Sequence, residues 1–458
     1  MAHDQEESTD ASPSTPPLPT QQHDSKPPSR RQRLWQQVQP EWLTHDMTLL
    51  LCARTCMSST RALSGIIVPI YLALLGFGGL TLGILFTATA LVSALLTALI
   101  GLLSDRIGRK PFLVITPLLT AIAGLVYTFS HTAAILFIFA ALGSFGRGAG
   151  AGGGTIGPYQ PAEQALLADA VPAHYRNNLF GRIGFASSLG GLIGGTPLVA
   201  LAVLIVGGQS MKAYQVEFFF TALLAFCAAL LALPVHEAYK SIPTKQSSQP
   251  APKKVQEKQR RLTPLSWSIL IRLWITNSVN GFAVGFFGPF ITYWFYRRYG
   301  AGPAEVAALY TIINFAAMLI NLISARIAAR LGLVRAIVIS RALQAFLIIP
   351  MVAMPFFWLA GLVYLLRMMV QRLGLPLRQS YVMGVVPQEE RGRVGALSIL
   401  PSQATSALSP TLAGFLFDHV ALSLPFDIGA ILQGLNTLLF LLFFRKIAPP
   451  EEQTRPRQ

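Results

Sequence analysis

Residues 101–110 read Gly101-Leu102-Leu103-Ser104-Asp105-Arg106-Ile107-Gly108-Arg109-Lys110, and they lie between two long apolar stretches, residues 80–100 and 112–127. Glycine permits a tight turn between two helices, and the basic residues favour the cytoplasmic side of a membrane. The carboxylate of Asp105 lies where the ends of neighbouring helices could meet it. An ordinary positively charged loop is the alternative, but the spacing of the residues argues against it. The stretch therefore predicts a cytoplasmic turn between two membrane-spanning helices.

The composition indicates a chain with little water-facing surface. Of its 458 residues, 52% are hydrophobic and only 12% are charged, and its mean hydropathy is +0.51. Soluble domains carry about 25% charged residues, so we predict a polytopic membrane protein. A net charge of +16 would suggest nucleic acid in a soluble chain. Here the basic residues occur in particular loops, so no nucleic-acid partner is predicted.

Nothing in the sequence indicates a metal, a cofactor or an enzyme. The three cysteines lie in apolar stretches, where small core packing explains them, and no histidine or carboxylate joins them at a metal-ligand spacing. The seven histidines lie in tails, loops or span ends, so no general base is expected inside the bilayer. A scaffold or sensor is a third class, but no soluble domain is available for signalling. We therefore predict no cofactor and no enzymatic activity.

Twelve apolar stretches are long enough to span a membrane, since about 20 residues suffice. They form two sets of six, which predicts an all-α fold of two six-helix bundles. The predicted organisation is a disordered cytoplasmic tail (1–45), a first bundle (46–235), a cytoplasmic linker (236–266), a second bundle (267–446) and a cytoplasmic tail (447–458).

The loop charges predict the orientation. Basic turns, such as the one at 105–110 and the segment with Arg391 and Arg393, alternate with nearly uncharged turns along the chain. Basic loops favour the cytoplasmic side. Both termini are therefore predicted to be cytoplasmic, in a multi-pass protein of the plasma membrane.

The two halves repeat in sequence. A shift of 220 residues places Gly65 on Gly285, Pro69 on Pro289 and Arg147 on Arg367. The same shift places Asp105 on Ala325, so only the first loop keeps its carboxylate. A constant register over most of one half indicates an internal duplication, with the working loop in the first half.

The Gly-x-x-x-Asp-Arg-x-Gly-Arg-Lys loop resembles the signature between helices 2 and 3 of the major facilitator superfamily, and the two parallel halves are similar to its organisation. The resemblance covers about residues 45–446. It implies a monomeric permease that works by alternating access, with substrate bound near the midplane between the bundles. It also implies a gating motif, made of Gly101, Asp105, Arg106, Gly108, Arg109 and Lys110.

Two further spans partly match motifs of that family. Arg147, followed by glycines, resembles a motif common among proton-coupled exporters, without its usual Gln and Gly spacing. Residues 187–197 resemble the antiporter motif Gly-Pro-x-x-Gly-Gly, with Gly191 where the proline is expected. Close packing of helices through small residues is the alternative, and it explains both segments.

Polar residues deep in several spans predict a wet cavity between the bundles. Arg61 lies about 14 residues into the first span, roughly 21 Å from its start, whereas Arg54 is close enough to the cytoplasmic end to act as a surface anchor. No carboxylate is expected in the middle of a span, so the cavity favours anionic or neutral polar solutes. The predicted cavity residues are Arg61, Arg147, Asn277, Asn280, Asn314, Arg367 and Gln371.

The sequence thus predicts a secondary active transporter of a small organic solute, working by alternating access. Proton-coupled efflux is the favoured form, and an organic anion or phosphate-ester exchanger or uptake permease is the alternative. The expected partners are a small-molecule substrate, the lipid bilayer and protons. Substrate, direction and coupling ion stay open at this point.

Overall fold

A computed structural model describes residues 44–130, 132–145, 158, 163, 166–167, 176–236, 263–331, 333–387 and 390–445. These residues form helices joined by short turns, and no strand occurs among them, so the all-α prediction is confirmed. The predicted tails, most of the central linker and Arg147 lie outside the described residues.

Fourteen helices are described. In the first half they are α1 (His45–Leu74), α2 (Gly79–Ile107), α3 (Lys110–Phe129), α4 (Ala133–Leu142), α5 (Arg176–Ile193), α6 (Thr196–Val206) and α7 (Met211–Ala232). In the second half they are α8 (Pro264–Phe287), α9 (Ile291–Tyr299), α10 (Pro303–Leu331), α11 (Leu333–Ala353), α12 (Phe357–Val385), α13 (Arg391–His419) and α14 (Leu424–Phe444).

The helices have the length and surface of membrane spans. Within the described residues, nine segments are long and apolar enough to cross a membrane. Two of these spans consist of two consecutive helices, α5 with α6 and α8 with α9. Large apolar side chains point outward along them, including Phe129 and Leu204, which are 77% and 78% exposed. Such a surface is stable only against lipid.

The turn after α2 requires its glycine. Gly108 has a φ of 100°, a conformation that side chains with a Cβ rarely adopt. Its N–H donates to the carbonyl of Ser104 at 3.1 Å and ends the helix. Lys110 begins α3 directly afterwards, with a proline in the first turn. The predicted tight turn between two spans is present.

The bundle has two ends, which we distinguish by their turns. The basic end holds the turn Gly108–Lys110 between α2 and α3, and the opposite end holds the turn of residues 75–78 between α1 and α2. Within the first half α7 packs against α1 and α3, and within the second half α8 packs against α13 and α14. The halves meet where α2 contacts α13 and where α10 contacts α5 and α6.

The hydrophobic core differs between the two ends. At the opposite end one cluster runs through both halves, where Phe86 of α2 lies 5.3 Å from Phe290 and Phe290 lies 4.9 Å from Phe417, between ring centroids. A second cluster, which includes Tyr381 and Phe444, belongs to the basic end of the second half alone. Apolar packing therefore joins the halves at the opposite end.

Candidate functional site

A carboxylate joins the two halves at the opposite end. Asp418, in the last turn of α13, accepts hydrogen bonds from the backbone N–H groups of Gly79 at 2.7 Å and Leu80 at 2.8 Å. These are the first residues of α2, whose N–H groups have no partner within the helix. A negative charge is stabilised there by the helix dipole. Asp418 thus caps a helix of the other half.

Glycines let the backbones of α2 and α13 touch beside this cap. A Cβ atom on Gly83 would lie 2.4 Å from the carbonyl oxygen of Pro410, and one on Gly414 would lie 2.1 Å from that of Gly79. The hydroxyl groups of Thr411 and Thr87 are hydrogen-bonded at 2.8 Å across the same contact. Only glycine fits at both positions while these helices stay together.

A second contact between the halves uses the glycine stretch of residues 190–195. A Cβ on Gly191 would lie 2.7 Å from the amide nitrogen of Asn314, and one on Gly195 would lie 2.3 Å from the hydroxyl of Thr311. Thr196 donates its N–H to that hydroxyl at 2.9 Å. The stretch thus packs closely on α10.

The same stretch also packs within the first half. Cβ atoms on Gly190 and Gly194 would lie 2.4 Å and 2.2 Å from the carbonyl oxygens of Thr55 and Ser59 on α1. The glycines therefore alternate between two faces, one toward α1 and one toward α10. Close packing, the alternative to the antiporter motif, accounts for every glycine of this stretch.

Arg54 forms a buried ion pair, so its interpretation as a surface anchor is wrong. It is only 2% exposed and donates to the carboxylate of Glu163, which is fully buried, and its Nε donates to Ser187 Oγ at 2.7 Å. The partners are 109 residues apart in sequence, which is why the pattern of the first span alone could not reveal them.

We expect Glu163→Gln to destabilise the protein strongly. The change leaves the Arg54 guanidinium buried without a counter-charge, which costs about 3–5 kcal/mol in comparable buried pairs. Thermal unfolding in detergent should show a lower Tm, and Arg54→Leu combined with Glu163→Leu should recover part of the loss. The exposed glutamate in the first turn of α10, changed as Glu305→Gln, is the control. A wild-type Tm for Glu163→Gln would contradict the assignment.

The side chain of Arg61 bonds within the first half. Its Nη1 donates to the carbonyl of Ser144, a residue held at a φ of 50°, which is uncommon outside glycine. A cavity of about 10 Å³ beside it is lined by Met57, Thr116 and Thr120 among others, room for roughly one water molecule. Its proposed contact with substrate stays a prediction.

The predicted polar residues of the second half mostly bond to neighbouring helices. Asn277 donates to the Ser398 carbonyl at 2.6 Å, and Asn280 accepts from Asn436 at 3.2 Å. Asn314 donates to the Tyr310 carbonyl at 3.0 Å and lies at the contact between the halves. Gln371 is half-buried on α12. Their place in a substrate cavity stays a prediction.

Three buried arginines in the second half lack a carboxylate partner among the described residues. Arg367 stacks over the Phe287 ring at 4.3 Å. Arg341, which sequence reasoning missed, donates to Asn436 at 2.9 Å. Arg372 has two nitrogens, Nε and Nη2, with no hydrogen-bond partner in the described part of the chain. Such charges persist in a membrane only where water, a dipole or an anion solvates them.

One carboxylate near a span end is buried, which the sequence did not reveal. Glu217 lies in α7 and is fully buried, and neither of its carboxylate oxygens has a hydrogen-bond partner within the described residues. Position near a span end suggested exposure, but seven residues of helix are enough to bring the side chain inside. The nearby Tyr214 and Phe218 are the sequence signal for an interior face.

The predicted gating motif lies where α2 meets α3. Gly101, Asp105 and Arg106 belong to the last two turns of α2, Gly108 ends it, and Arg109 and Lys110 begin α3. The side chains of Asp105 and Arg106 lie outside the described part of the structure. Their gating role stays a prediction.

The Major Facilitator Superfamily family model matches residues 50–278 and 273–458. Among known proteins, the multidrug resistance protein MdtG of Proteus mirabilis is 24% identical over 390 residues, covering 82% of this chain and 90% of MdtG. The quinolone resistance protein NorA of Staphylococcus aureus is 22% identical over 247 residues. That match covers 54% of this chain and spans only 57% of the length of NorA.

Solved structures share the fold at low sequence identity. A D-xylose–proton symporter superposes with a TM-score of 0.67 at 16% identity, covering 90% of this chain and 99% of that one. The nucleoside transporter NupG gives a TM-score of 0.64 at 13% identity, with 87% and 99% coverage. These values establish the architecture and say nothing about substrate.

Proposed function

Because the chain belongs to the major facilitator superfamily, and is therefore a membrane transporter rather than an enzyme, we propose that it is a secondary active transporter that exports a small organic solute in exchange for protons. We propose that it works as a monomer, since one chain supplies both halves that alternating access needs. The names of MdtG and NorA, both resistance proteins, support export.

We propose that the basic end faces the cytoplasm of a cell with the protein in its plasma membrane. Arg109 and Lys110 at that end, and the basic linker between the halves, support this orientation. Both termini are then cytoplasmic. The opposite end, which the α2–α13 contact and the contact of α5 and α6 with α10 join, faces the outside. In this proposed orientation, the state with the opposite end closed is closed to the outside.

One observation carries the transport proposal: beside the apolar cluster at the opposite end, the two halves meet through glycine backbone surfaces, and we propose that these contacts separate without unfolding either half. Flat backbone surfaces lie at Gly83, Gly414 and Gly195. Hydrogen bonds at the edges of these contacts involve Asp418 and Thr311. Flat glycine faces allow one bundle to rock against the other, and the ring contact between Phe86 and Phe290 would open in the same movement. Such reversible closure is what alternating access requires.

The second candidate function is exchange of organic anions or phosphate esters. Arg367 and Arg372 favour it, because both are buried without a carboxylate among the described residues. An acidic substrate group would compensate such charges. We propose the substrate cavity around Arg61, Arg147, Asn277, Asn280, Asn314, Arg367 and Gln371, with Arg367 holding the acidic part of such a substrate.

Transport by purified protein in liposomes distinguishes the two functions. Liposomes would be loaded or bathed with a fluorescent organic cation, a neutral sugar, an organic carboxylate or a labelled sugar phosphate. We expect a pH gradient to drive accumulation of one of the first three. Counterflow of the labelled sugar phosphate or of the organic carboxylate without a pH gradient would favour the exchanger. No transport of any of these compounds under either condition would contradict both.

We expect Asp105→Asn to slow turnover while leaving the amount of folded protein unchanged. We propose that Asp105 closes the basic end in the outward-open state through charge-assisted bonds to an arginine or to the N-terminus of a second-half helix. Loss of the charge should shift the population toward the inward-open state. Labelling of single cysteines at both ends measures this shift. Wild-type transport and labelling would contradict the gating role.

A further inference from the structure

Glu217 is a buried acid in the first half of the bundle. Its side chain is fully buried in α7, and both carboxylate oxygens lack a hydrogen-bond partner among the described residues. The helix runs from Met211 to Ala232, so Glu217 lies about 9 Å below the opposite end, at 1.5 Å per residue. An ionised carboxylate without partners is very costly in such a place.

Among the described residues, no ion pair compensates Glu217. The helices packed on α7 are α1, α3 and α6. The titratable groups in the ring cluster around this turn of α7 are the phenols of Tyr71 on α1, Tyr127 on α3 and Tyr214 on α7 itself. The helix α6 has no titratable residue. The salt bridges of the described residues do not include Glu217. The neutral, protonated carboxyl is therefore the form that fits this state.

Two polar residues, Tyr214 and Gln209, lie between Glu217 and the opposite end along the chain. Tyr214, one helical turn earlier, lies close enough to Glu217 and to the side chain of Gln209 to interact with both. Gln209 belongs to the exposed turn between α6 and α7. A proton could pass along these groups when that end is open.

Tyr127 supplies a second unsatisfied group in the same cluster. Its hydroxyl also lacks a partner among the described residues, and its ring lies 5.1 Å from that of Phe218, which adjoins Glu217. Unsatisfied buried polar groups are uncommon in folded proteins and ask for an explanation. A small rearrangement that gave Glu217 a phenol donor would stabilise its ionised form, and so favour release of the proton.

We propose that Glu217 is a proton-binding site of the transport cycle, loaded from the opposite end and sealed by closure of that end. The coupling part of this inference rests on the proton-driven export proposed above. In the closed state the carboxyl group holds the proton and stays neutral. Release of the proton to the cytoplasm while the opposite end is closed, followed by release of substrate when that end reopens, would complete an exchange of one proton for substrate.

Infrared spectroscopy of the purified protein in lipid tests proton binding without any substrate. A buried protonated carboxyl group has a C=O stretching band separate from that of carboxylates. We expect the wild type to show such a band that disappears at high pH, Glu217→Gln to lack it, and the exposed control Glu305→Gln to keep it. Glutamine resembles a protonated glutamate in shape, so the variant should fold. An unchanged band in Glu217→Gln would overturn the proposal.

Transport in liposomes tests the coupling. We expect Glu217→Gln to lose pH-gradient-driven accumulation of whichever panel compound the wild type accumulates, while downhill movement of that compound continues. If the band is lost but gradient-driven accumulation persists, Glu217 is a structural acid and the coupling role is overturned. If the wild type itself ignores the pH gradient, proton-driven export fails, whereas the infrared result still decides whether Glu217 binds a proton.

Discussion

Gly83→Ala is expected to reduce transport by about an order of magnitude while the protein stays folded. The new Cβ would lie 2.4 Å from the carbonyl oxygen of Pro410 on the other half, so α2 and α13 must move apart at the opposite end. Overpacking of this kind costs about 1–3 kcal/mol. Because the cost falls only on the state with that end closed, the equilibrium shifts roughly 5- to 150-fold toward the open state.

A matched control separates this effect from loss of helix stability. Gly434 also lies within a long helix, but a Cβ there would meet nothing within 4 Å. We expect Gly434→Ala to transport like the wild type, and Gly414→Ala to resemble Gly83→Ala. Initial transport rates normalised to folded protein provide the comparison. Equal rates for Gly83→Ala and Gly434→Ala would show that this contact does not open during the cycle.

Asp418→Ala is expected to favour opening of the same end by a different route. The change removes two hydrogen bonds to the first N–H groups of α2. Loss of an N-terminal cap costs about 0.5–2 kcal/mol, which corresponds to a shift of roughly 2- to 30-fold. Asp418→Asn keeps one side-chain oxygen as an acceptor and should show a smaller shift. Cysteine labelling from the outside should be lowest in the wild type, higher in Asp418→Asn and highest in Asp418→Ala.

Asp427 is the control for a general effect of charge at this end. It lies in the first turn of α14, on the same side of the bundle, and its N–H donates to Ser423 within the second half. We expect Asp427→Ala to leave labelling near the wild-type level. If both variants change labelling equally, the surface charge and not the cap on α2 is responsible.

Asp105 and Asp418 occupy similar positions at the two ends of the bundle. Asp105 lies near the C-terminus of α2 at the basic end, and Asp418 lies near the C-terminus of α13 at the opposite end. The Asp418 cap is present in this closed state. The Asp105 cap is proposed for the alternate state, in which the basic end would be closed.

The fold could be predicted from the sequence because its determinants are local. Span length and the glycine at position 108 are properties of short segments, and loop charge, the basis of the proposed orientation, is local too. The glycines of residues 190–195 likewise signalled close packing, although the sequence could not say that alternate glycines contact α1 and α10.

The buried charges could not be predicted, because burial depends on contacts that are distant in sequence. Arg54 looked close to a surface, yet its partner Glu163 comes from another segment of the first half. Glu217 looked like a span-end residue, yet α1 and α3 enclose it. Asp418 lies in the last turn of a span, where no local pattern marks it as a cap. Its role depends on where α2 begins in the other half.

The most direct test measures the distance between the halves at both ends in one set of samples. Spin labels at Leu74 and Val420 report on the opposite end, and labels at Ile107 and Leu265 report on the basic end; all four side chains are at least 45% exposed. Cys52, Cys56 and Cys227 would first be replaced by serine or alanine. Across pH and added transported compound, we predict that one distance lengthens as the other shortens. In Gly83→Ala the longer Leu74–Val420 distance should dominate. A Leu74–Val420 distance that never changes in protein that still transports would contradict the account.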